Sequence, residues 1–532
     1  MSFYLGLDSS TQSLSAIVLD IEGDRRELAF ESSIAFDSTF PQYRTQHGVL
    51  RNDDPTTAAS PPLLWVEALE EMMRRLQQSG LDLRRLVAIS GSAQQHGSVY
   101  LNARATQALT GFDPGRPLAE QVKPLLARDI APIWMDSSTS AECGEIETAV
   151  GGDRRLAQRT GSRAFERFTA AQIRKFSKRE PAAYASTDRV HLVSSFLASL
   201  LIGAHAPLDP GDGSGMNLMD LGSCQWWAPA VASTAPDLAA KLPPIARAST
   251  VIGTLSPYWQ ARYGLPPAKV VTWSGDNPCS LVGVGLVREG RLAISLGTSD
   301  TVFGLMREPR VDATGTGHVF GAPTGDYMGL TCFKNGSLAR ERIRDQFGLS
   351  WATFSEALHR TPPGNGGRIM LPWFEPEITP TVLTPGARRH RLDPGDADGN
   401  VRAVVEGQQM AMALHSRWMN VKVDSIHATG GAAANRDILQ VMADVFGAAV
   451  YQLQVGNSAA LGAALQAFHG AASAEGQQMS WDDTVRGFAE PLAGSALLPD
   501  PARHEVYKKL TDVYAAFETE TLRRMNTEKD EC

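Results

Sequence analysis

Two segments of the chain end an apolar strand with a turn rich in hydroxyl and acidic side chains. The first is LGLDSSTQ (residues 5–12) and the second is SLGTSDT (residues 295–301). The tip of such a hairpin exposes backbone N–H groups that suit phosphate oxygens. Asp8, at the end of its strand, is suited to hold Mg²⁺ directly or through water. Taken alone, the first segment is equally consistent with a plain hairpin in which Asp8 forms the turn.

The second turn favours a phosphate site over a plain hairpin. Two hydroxyl-rich tips, around Thr11 and around Gly297 and Thr298, can face each other across a cleft and hold a polyphosphate from both sides. The sequence contains no GxxxxGK[ST] segment, which excludes a P-loop. It also lacks a GxGxxG segment between a strand and a helix, so a dinucleotide fold is unsupported.

The carboxylate of Asp276, in the segment GDNP (residues 275–278), is the candidate for acid–base chemistry. It follows a predicted strand over Lys269 to Trp273, and Pro278 stands where a helix should begin. A carboxylate held near the positive end of a helix could accept the proton of an attacking hydroxyl group. The residues alone favour simple N-capping by Asp276 or Asn277.

Four further residues have both a binding and a structural interpretation. His96 stands in a loop after the predicted strand Leu86–Ser90, where a lone histidine is more often a structural hydrogen-bonding group. Arg167 could bind a ligand or form a surface ion pair with Glu166 or another acid, which would contribute little. Gly430 and Gly431, between a strand and a helix, let a flat adenine approach the backbone or simply form a tight turn.

The surrounding pattern predicts an α/β protein made of two related units. Strands at 3–8 and 14–20 flank the first turn, and strands at 292–295 and 301–306 flank the second. We interpret this as a diverged internal repeat that folds into two lobes with a cleft between them. The predicted domains are 1–258 and 259–532, and the strand Lys269–Trp273 is assigned to the second unit.

One helix has clear predicted ends. Ser60 is expected to be its N-cap, Pro61 its first residue and Gly80 its end. Its apolar stripe consists of Leu64, Ala68, Leu69, Met72, Met73 and Leu76.

The composition restricts the partners and the location. The chain has 532 residues, a formal net charge of -8 and a pI of about 5.8, which argues against a nucleic-acid partner. Its five cysteines are scattered, which supports neither a disulfide framework nor a zinc site. The most apolar window, 190–202, contains three serines and predicts a buried helix rather than a membrane span. We therefore expect a cytoplasmic protein that does not bind membranes.

The order of the motifs resembles that of the FGGY family of carbohydrate kinases, over nearly the whole length. This resemblance implies two duplicated ribonuclease H-like domains of the actin-like ATPase fold, with a cleft between them. Besides the turns and the Asp276 segment, the motifs that carry it are QQHGS (94–98), IWMDSST (133–139), GSRAFERFTAAQI (161–173), DGSGMNL (212–218), CFKNGSL (332–338) and ATGGAAAN (428–435).

The resemblance also implies a reaction and a set of site residues. Within the family, the chain is similar to the longer, eukaryotic-type members that convert D-xylulose and ATP to D-xylulose 5-phosphate and ADP. Asp276 then corresponds to the catalytic base, and Asp8 would hold Mg²⁺. The implied substrate-binding residues are His96, Arg167, Asp136, Asp276 and Asn277. The implied ATP-binding residues are Asp8, Thr11, Gly297, Thr298, Trp351, Gly430, Gly431 and Asn435.

Two of these assignments have weaker support. Many family members carry an arginine two positions after the residue that corresponds to Asp136, whereas this chain has Ser138. Trp351 could equally be a half-buried core aromatic, which is the commoner position for a tryptophan.

Other functions remain open from the sequence. The nearest alternative is a family member that acts on ribulose, another ketose, a sugar acid or a polyol. A conformational ATPase would share the fold but would leave His96, Arg167 and Asp276 without a purpose. A non-catalytic sugar sensor is the third alternative, and the presence of Asp8 and Asp276 argues against it. The expected partners are a small sugar and ATP, and the chain is expected to be a monomer or a homodimer.

Overall fold

The protein is described by a computed structural model over residues 2–453 and 456–530. Its helices are Phe36–Thr39, Pro62–Gln77, Arg104–Ala108, Leu118–Val122, Ser140–Val150, Asp153–Thr160, Thr169–Arg179, Pro181–Ser186, Val193–Ile202, Pro210–Gly215, Ala228–Thr234, Leu238–Lys241, Pro257–Tyr263, Asp276–Gly283, Ser337–Gln346, Trp351–Arg360, Ala397–His415, Arg436–Phe446, Ser458–Ala474, Trp481–Val485 and Pro501–Asp530.

Two large sheets form the centres of the two lobes. The first sheet has the strand order Val251–Thr254, Lys269–Val271, Leu86–Ala93, Ser2–Ser9, Ser13–Glu22 and Arg25–Ala35, and Ser274–Gly275 also pairs with Leu86–Ala93. The second sheet has the order His318–Gly321, Tyr327–Phe333, Asp300–Met306, Arg291–Leu296, Ser425–Thr429 and Ala449–Gln452. The remaining strands form five separate two-stranded sheets among the described residues. They pair Thr45–Gln46 with Val49–Leu50, Ala59–Ser60 with Ala131–Pro132, Ser98–Asn102 with Thr187–Leu192, Met219–Asp220 with Gln225–Trp226, and Ile369–Leu371 with Arg388–His390.

Both sheets are built on the same plan, which confirms the predicted duplicated α/β fold. We call residues 2–22 the first hairpin and residues 291–306 the second hairpin. In each, the two strands pair antiparallel, and the second strand pairs antiparallel with a third. The opening strand of each hairpin also pairs parallel with a later strand, Leu86–Ala93 or Ser425–Thr429. The tips of the two hairpins therefore occupy equivalent places in the two lobes.

The strand at Lys269–Val271 lies in the first sheet, where Val270 pairs parallel with Ile89. Its assignment to the second unit is wrong, and the second sheet begins only at Arg291. Val270 and Val271 are fully buried, but an apolar strand packs equally well into either of two similar sheets. The division of the domains at 258 and 259 stays a prediction.

Two helices pack on each other at the first sheet, and we call Asp276–Gly283 and Ser458–Ala474 the interlobe helices. Asp276–Gly283 contacts strands of both large sheets, whereas Ser458–Ala474 lies on the first sheet. They pack on each other through glycine: a Cβ atom on Gly462 would lie 1.9 Å from the carbonyl oxygen of Cys279. The helix Ser458–Ala474 also lies on the first hairpin, where a Cβ on Gly6 would lie 2.1 Å from the carbonyl oxygen of Ala460. These approaches leave no room for a side chain at Gly462 or Gly6. The close packing therefore fixes the position of the helix that carries Asp276 relative to the first hairpin.

The helix predicted after Ser60 exists, but its start differs from the prediction. It spans Pro62–Gln77, and Pro61 is its N-cap. Ser60 lies in a short strand, and its hydroxyl group donates to the carbonyl oxygen of Gly48 at 2.5 Å instead of capping the helix. Gly80 follows the end of the helix in a left-handed conformation. The predicted apolar stripe is buried, as expected.

The apolar window at 190–202 forms the buried helix Val193–Ile202 inside the first lobe, as predicted. Among the described residues, no helix combines the length and the apolar character needed to cross a bilayer.

Candidate active site

Asp276 stands at the first turn of an interlobe helix, directly after the short strand Ser274–Gly275. Its Oδ1 atom accepts hydrogen bonds from the backbone N–H of Asn277 at 2.8 Å and from Asn277 Nδ2 at 3.1 Å. The backbone N–H of Gln95 also donates to this carboxylate. The side chain of Gln95 holds Asn277 from the other side, because its Oε1 accepts from Asn277 Nδ2 at 2.9 Å. The carboxylate is therefore fixed in orientation.

Asp8 lies at the end of the opening strand of the first hairpin, and Ser92 on the neighbouring strand donates to its Oδ1 at 2.6 Å. Burial raises the pKa of Asp8 to about 6. Burial also raises the pKa of Asp276 to about 7, and the negative charge of Asp8 adds to that rise. The two carboxylates are thus close enough to interact, and Asp276 is poised near neutral pH, where a general base works best.

Two more carboxylates, those of Asp209 and Asp212, lie buried behind Asp276. Asp209 accepts from Ser274 Oγ at 2.6 Å, and Asp212 accepts from the hydroxyl group of Ser194. Burial raises the pKa of Asp212 well above its ordinary value, and the charges of Asp209 and Asp276 act in the same direction. The Asp212 carboxylate leaves little space at Gly275, since a Cβ there would lie 2.8 Å from its Oδ1. Asp209 and Asp212 thus hold the backbone at Ser274 and Gly275, directly before Asp276.

His96 adjoins the Asp276 group through its neighbour Gln95. Its backbone has a φ of 72°, an unusual value for a residue with a side chain. Its Nδ1 lies 2.8 Å from the carbonyl oxygen of Gly215, and its ring stacks on Phe168 at a centroid distance of 4.4 Å. Burial, with a further contribution from the cation Arg167, lowers the pKa of His96 to about 3. His96 is therefore neutral and its ring orientation is fixed.

Arg167 completes this group from the segment before the helix Thr169–Arg179. Its guanidinium lies 5.0 Å from the ring centroid of Phe165 and 5.5 Å from that of Phe168. Its Nη2 atom lies 2.9 Å from Nε2 of His318, a residue of the second lobe. It does not form an ion pair with Glu166 among the described residues, so the surface-pair interpretation is not supported. The structure brings His96, Arg167, Asp276, Asn277 and Asp8 into one connected region.

The tip of the second hairpin is held by a buried ion pair. Arg340 Nη1 lies 2.9 Å from Asp300 Oδ2, and both side chains are almost fully buried. Gln408 accepts from Arg340 Nη1 at 2.8 Å and donates to the carbonyl oxygens of Asn335 and Gly336. The chain at Gly336 packs directly under the tip, where a Cβ would lie 2.7 Å from the carbonyl oxygen of Thr298.

A cleft of about 870 Å³ opens beside this tip. It has the size of a site for a small organic ligand. Its lining includes five of the predicted nucleotide-binding residues: Gly297, Thr298, Trp351, Gly431 and Asn435. Trp351 begins the helix Trp351–Arg360 with 42% of its surface exposed, so it is not a core residue. Its ring faces a cation, since the Arg344 guanidinium lies 4.7 Å from its centroid.

Gly431 and Asn435 line this cleft, and Gly430 lies in the turn directly before Gly431. Gly430 has a φ of 85°, and a Cβ there would lie 2.6 Å from the carbonyl oxygen of Leu296, so this turn requires glycine. Asn435 caps the helix Arg436–Phe446 by accepting from the backbone N–H groups of Asp437 and Ile438. Its Nδ2 atom donates to Ser355 Oγ at 2.7 Å. Asn435 therefore has a structural role in addition to lining the cleft.

Thr11 and Asp136, both in the first lobe, differ in their hydrogen-bond partners. Thr11 Oγ1, at the tip of the first hairpin, accepts from Trp134 Nε1 at 2.8 Å. Asp136 is 3% exposed. Its carboxylate accepts from the backbone N–H groups of Ala58 and Ser138, from Ser138 Oγ and from Gln172 Nε2. This set of bonds gives Asp136 a structural task, and its contact with a sugar stays a prediction.

Sequence reasoning missed Ser92, Gln95 and His318. Ser92 stands two residues before the QQHG segment and Gln95 lies within it, so their closeness to His96 in sequence was a usable signal. His318 has no such signal, because it comes from the other lobe and reaches Arg167 only in the folded chain.

Comparisons with known proteins identify the group to which this arrangement belongs. The sequence models of the N-terminal and C-terminal domains of the FGGY family of carbohydrate kinases match residues 117–283 and 292–471. The chain is 42% identical over 534 residues to xylulose kinase of Mus musculus, covering 97% of this chain and 94% of that protein. It is also 42% identical over 491 residues to xylulose kinase 2 of Arabidopsis thaliana, covering 88% and 87% of the two chains.

Solved structures support the fold. Xylulose kinase from Rhodospirillum rubrum superposes with a TM-score of 0.81 at 20% identity, covering 98% of this chain and 99% of that one. The Plasmodium falciparum glycerol kinase with ADP superposes with a TM-score of 0.76 at 15% identity, covering 98% of both chains. At such identities the likeness concerns the fold alone.

Proposed function

Because the chain belongs to the FGGY family of carbohydrate kinases, we propose that it transfers the γ-phosphate of ATP to D-xylulose, giving D-xylulose 5-phosphate and ADP. The observation that carries the substrate is the 42% identity to the mouse xylulose kinase over 97% of the chain. The site adds chemical support, since an oriented carboxylate with a raised pKa lies beside a second carboxylate in a region with neutral His96 and Arg167.

In this proposal Asp276 is the general base. Its carboxylate accepts the proton of the sugar hydroxyl group while the oxygen of that group attacks the terminal phosphorus. Asn277 and Gln95 hold the carboxylate in one orientation, so little reorganisation is needed when the proton moves. His96 and Arg167 bind the sugar, with His96 as a neutral hydrogen-bonding partner.

The nucleotide is proposed to lie with its adenosine in the 870 Å³ cleft, against Trp351, Gly431 and Asn435. Gly430 is proposed to contribute the glycine turn directly before Gly431. Its phosphates extend along Gly297 and Thr298 towards Thr11 and Asp8. The backbone N–H groups of the two hairpin tips are the phosphate donors in this arrangement.

Asp8 is the residue that fits a divalent cation. It is a half-buried carboxylate next to Asp276, and one of its oxygens accepts from Ser92. Among the described residues there is no cluster of three or more metal-ligating side chains. Mg²⁺ is commonly bound through one or two carboxylates together with water and substrate phosphates, which agrees with a single Asp8. When bound, the ion would neutralise charge on the phosphates.

A coupled assay of ADP release over a panel of ketopentoses, gluconate and glycerol tests the proposal. We expect D-xylulose to give the highest kcat/KM, and the Asp276→Ala variant to lose turnover. A preference for ribulose, a sugar acid or a polyol would replace the substrate and keep the reaction class. Sugar-independent ATP hydrolysis as the main activity would favour a conformational ATPase instead. A cytoplasmic location and a monomeric or homodimeric state stay predictions.

A further inference from the structure

The edge strand of the second sheet, His318–Gly321, is seated on the first lobe. The backbone N–H of Val319 donates to the carbonyl oxygen of Gly161 at 3.0 Å, and the N–H of Gly321 donates to Ser214 Oγ at 3.0 Å. A Cβ on Gly161 would lie 2.3 Å from the carbonyl oxygen of Val319. This close approach brings His318 next to Arg167 in the other lobe.

His318 joins two polar side chains of the first lobe. It is 1% exposed. Its Nε2 lies 2.9 Å from Arg167 Nη2, and its Nδ1 lies 3.1 Å from Ser162 Oγ. A guanidinium has only donors, so Nε2 must be the acceptor in the first contact. A neutral imidazole then carries its proton on Nδ1, which donates to Ser162 Oγ.

The surroundings of His318 keep the ring neutral. Burial holds the pKa of His318 well below its ordinary value, and Arg167, His96 and Arg163 act in the same direction. The rings of Phe165 and Phe320 lie at centroid distances of 4.7 and 5.9 Å. These aromatic rings offer no conventional hydrogen-bond acceptor to a second ring proton. The neutral tautomer protonated on Nδ1 is the form that satisfies both polar contacts.

We infer that His318 is a positioning residue for the sugar: its Nε2 lone pair fixes the direction of the Arg167 guanidinium, so the substrate site is complete only when the edge strand of the second lobe is docked. The inference rests on the proposed sugar contact of Arg167. Phe165 and Phe168 are neighbouring rings with centroids 5.5 Å apart, and the guanidinium lies beside both of them. Contact with aromatic rings does not fix the rotation of the guanidinium. Among the described residues, His318 is the one hydrogen-bond acceptor that the Arg167 side chain contacts.

Two nearly isosteric substitutions separate this role from a merely structural one. His318→Gln can place a carbonyl oxygen near the position of Nε2, whereas His318→Asn can replace only the Nδ1 side. We expect His318→Asn to raise the KM for D-xylulose about tenfold or more, because a hydrogen bond to a charged group is lost. His318→Gln should stay within about threefold of the wild type. The KM for ATP should change less than about twofold in both variants, and thermal unfolding shows whether each has folded.

A double-mutant cycle with Arg167→Ala tests whether His318 acts through Arg167. If it does, His318→Asn has no further effect on the sugar KM in the Arg167→Ala background. Equal effects of the Asn and Gln variants, or additive effects in the cycle, would overturn the inference.

The outcome for the wild type separates this inference from the proposed function. If the wild type does not phosphorylate D-xylulose, the proposed function fails, and the cycle is run with the substrate of the panel that it does accept. If it accepts none, histidine-selective ¹⁵N NMR of the wild type still decides the geometry. A protonated Nδ1 in His318, with a Nε2 shift that changes in Arg167→Ala, supports the inference, and a protonated Nε2 contradicts it.

Discussion

The two hairpins have the same topology, but their aspartates differ in environment. Asp8 in the first hairpin has one hydroxyl partner, Ser92, and its carboxylate interacts with that of Asp276. Asp300 in the second hairpin is buried against Arg340, in an ion pair of 2.9 Å that also involves Gln408. Burial raises the pKa of both aspartates, but only at Asp300 does a neighbouring cation oppose the rise.

This difference separates a carboxylate suited to a ligand from one that stabilises the fold. An acid without a cationic partner beside a second acid attracts a cation or a proton. A buried, paired acid has its charge compensated and is unavailable to a ligand. The two hairpins thus differ in their acids: the Asp8 carboxylate is available to a ligand, whereas the Asp300 carboxylate holds its own loop in place. Five experiments test this contrast and the cleft beside the second tip.

The largest effect is expected at Asp276, the partner of Asp8. Asp276→Asn removes the proposed proton acceptor while keeping the shape of the side chain, so kcat should fall by about 10³-fold, in the range of general-base catalysis. The dissociation constant for ATP, measured by calorimetry, should change little. Asp512→Asn, on the exposed face of the C-terminal helix, is the matched control and should keep full activity. Turnover by Asp276→Asn near the wild-type rate would remove Asp276 from the role of base.

The second effect concerns stability and belongs to the second hairpin. Arg340→Met leaves Asp300 buried without its cation, and the expected loss is about 3–5 kcal/mol in the free energy of unfolding. Urea titration followed by tryptophan fluorescence measures it. Adding Asp300→Asn to Arg340→Met should restore part of the loss, since no buried charge remains. An unchanged unfolding midpoint in Arg340→Met would show that the ion pair does not hold the tip.

A third effect is a shift in pH dependence. If Asp276 is the base, as proposed, it acts in its deprotonated form, so kcat/KM should rise with pH through about 7, the pKa of Asp276. Removing the negative charge in Asp8→Asn lowers that pKa, and the rising limb should move to lower pH. The residual activity of Asp8→Asn, measured from about pH 5.5 to about pH 9, tests this. A limb that stays in place would mean that the two carboxylates do not interact.

Asp8→Asn should also change the free energy of unfolding in the opposite direction to Arg340→Met. The folded-state pKa of Asp8 lies above its ordinary value, so its ionised form is less favourable in the folded chain. Ionisation of Asp8 therefore lowers the free energy of unfolding as the pH rises from the pKa of Asp8 in the unfolded chain through about 6, its pKa in the folded chain. Asp8→Asn should unfold at the same or a higher urea concentration than the wild type at neutral pH.

The smallest effect is expected at the exposed Trp351. Trp351→Ala removes a flat surface from the cleft, and the KM for ATP should rise about twofold to tenfold, as for the loss of one aromatic contact. Trp351→Phe keeps an aromatic face and should lie between the alanine variant and the wild type. The KM for D-xylulose should not change in either variant. If it changed as much as that for ATP, the cleft would not be a separate nucleotide site.

Much of the site could be read from local sequence, because the relevant signals lie within a few residues. The hairpins, the turn at Gly430 and the placement of Asp276 at a helix start all follow from local spacing. The family resemblance then assigned roles to residues such as His96 and Arg167, for which the sequence alone favoured structural interpretations. The helix at Pro62 shows the limit, since a local cap signal at Ser60 gave way to a hydrogen bond with Gly48.

The α/β class, the repeated hairpin and the order of the motifs could be predicted from local sequence, because strand and turn preferences act between near neighbours. Three features became visible only in the folded chain: Lys269–Val271 joins the first sheet, Asp300 is paired with Arg340, and His318 of one lobe contacts Arg167 of the other. Each of these depends on which surfaces meet when distant segments pack. Burial and charge at those meeting points, which no local pattern encodes, set the protonation of the acids and histidines in the site.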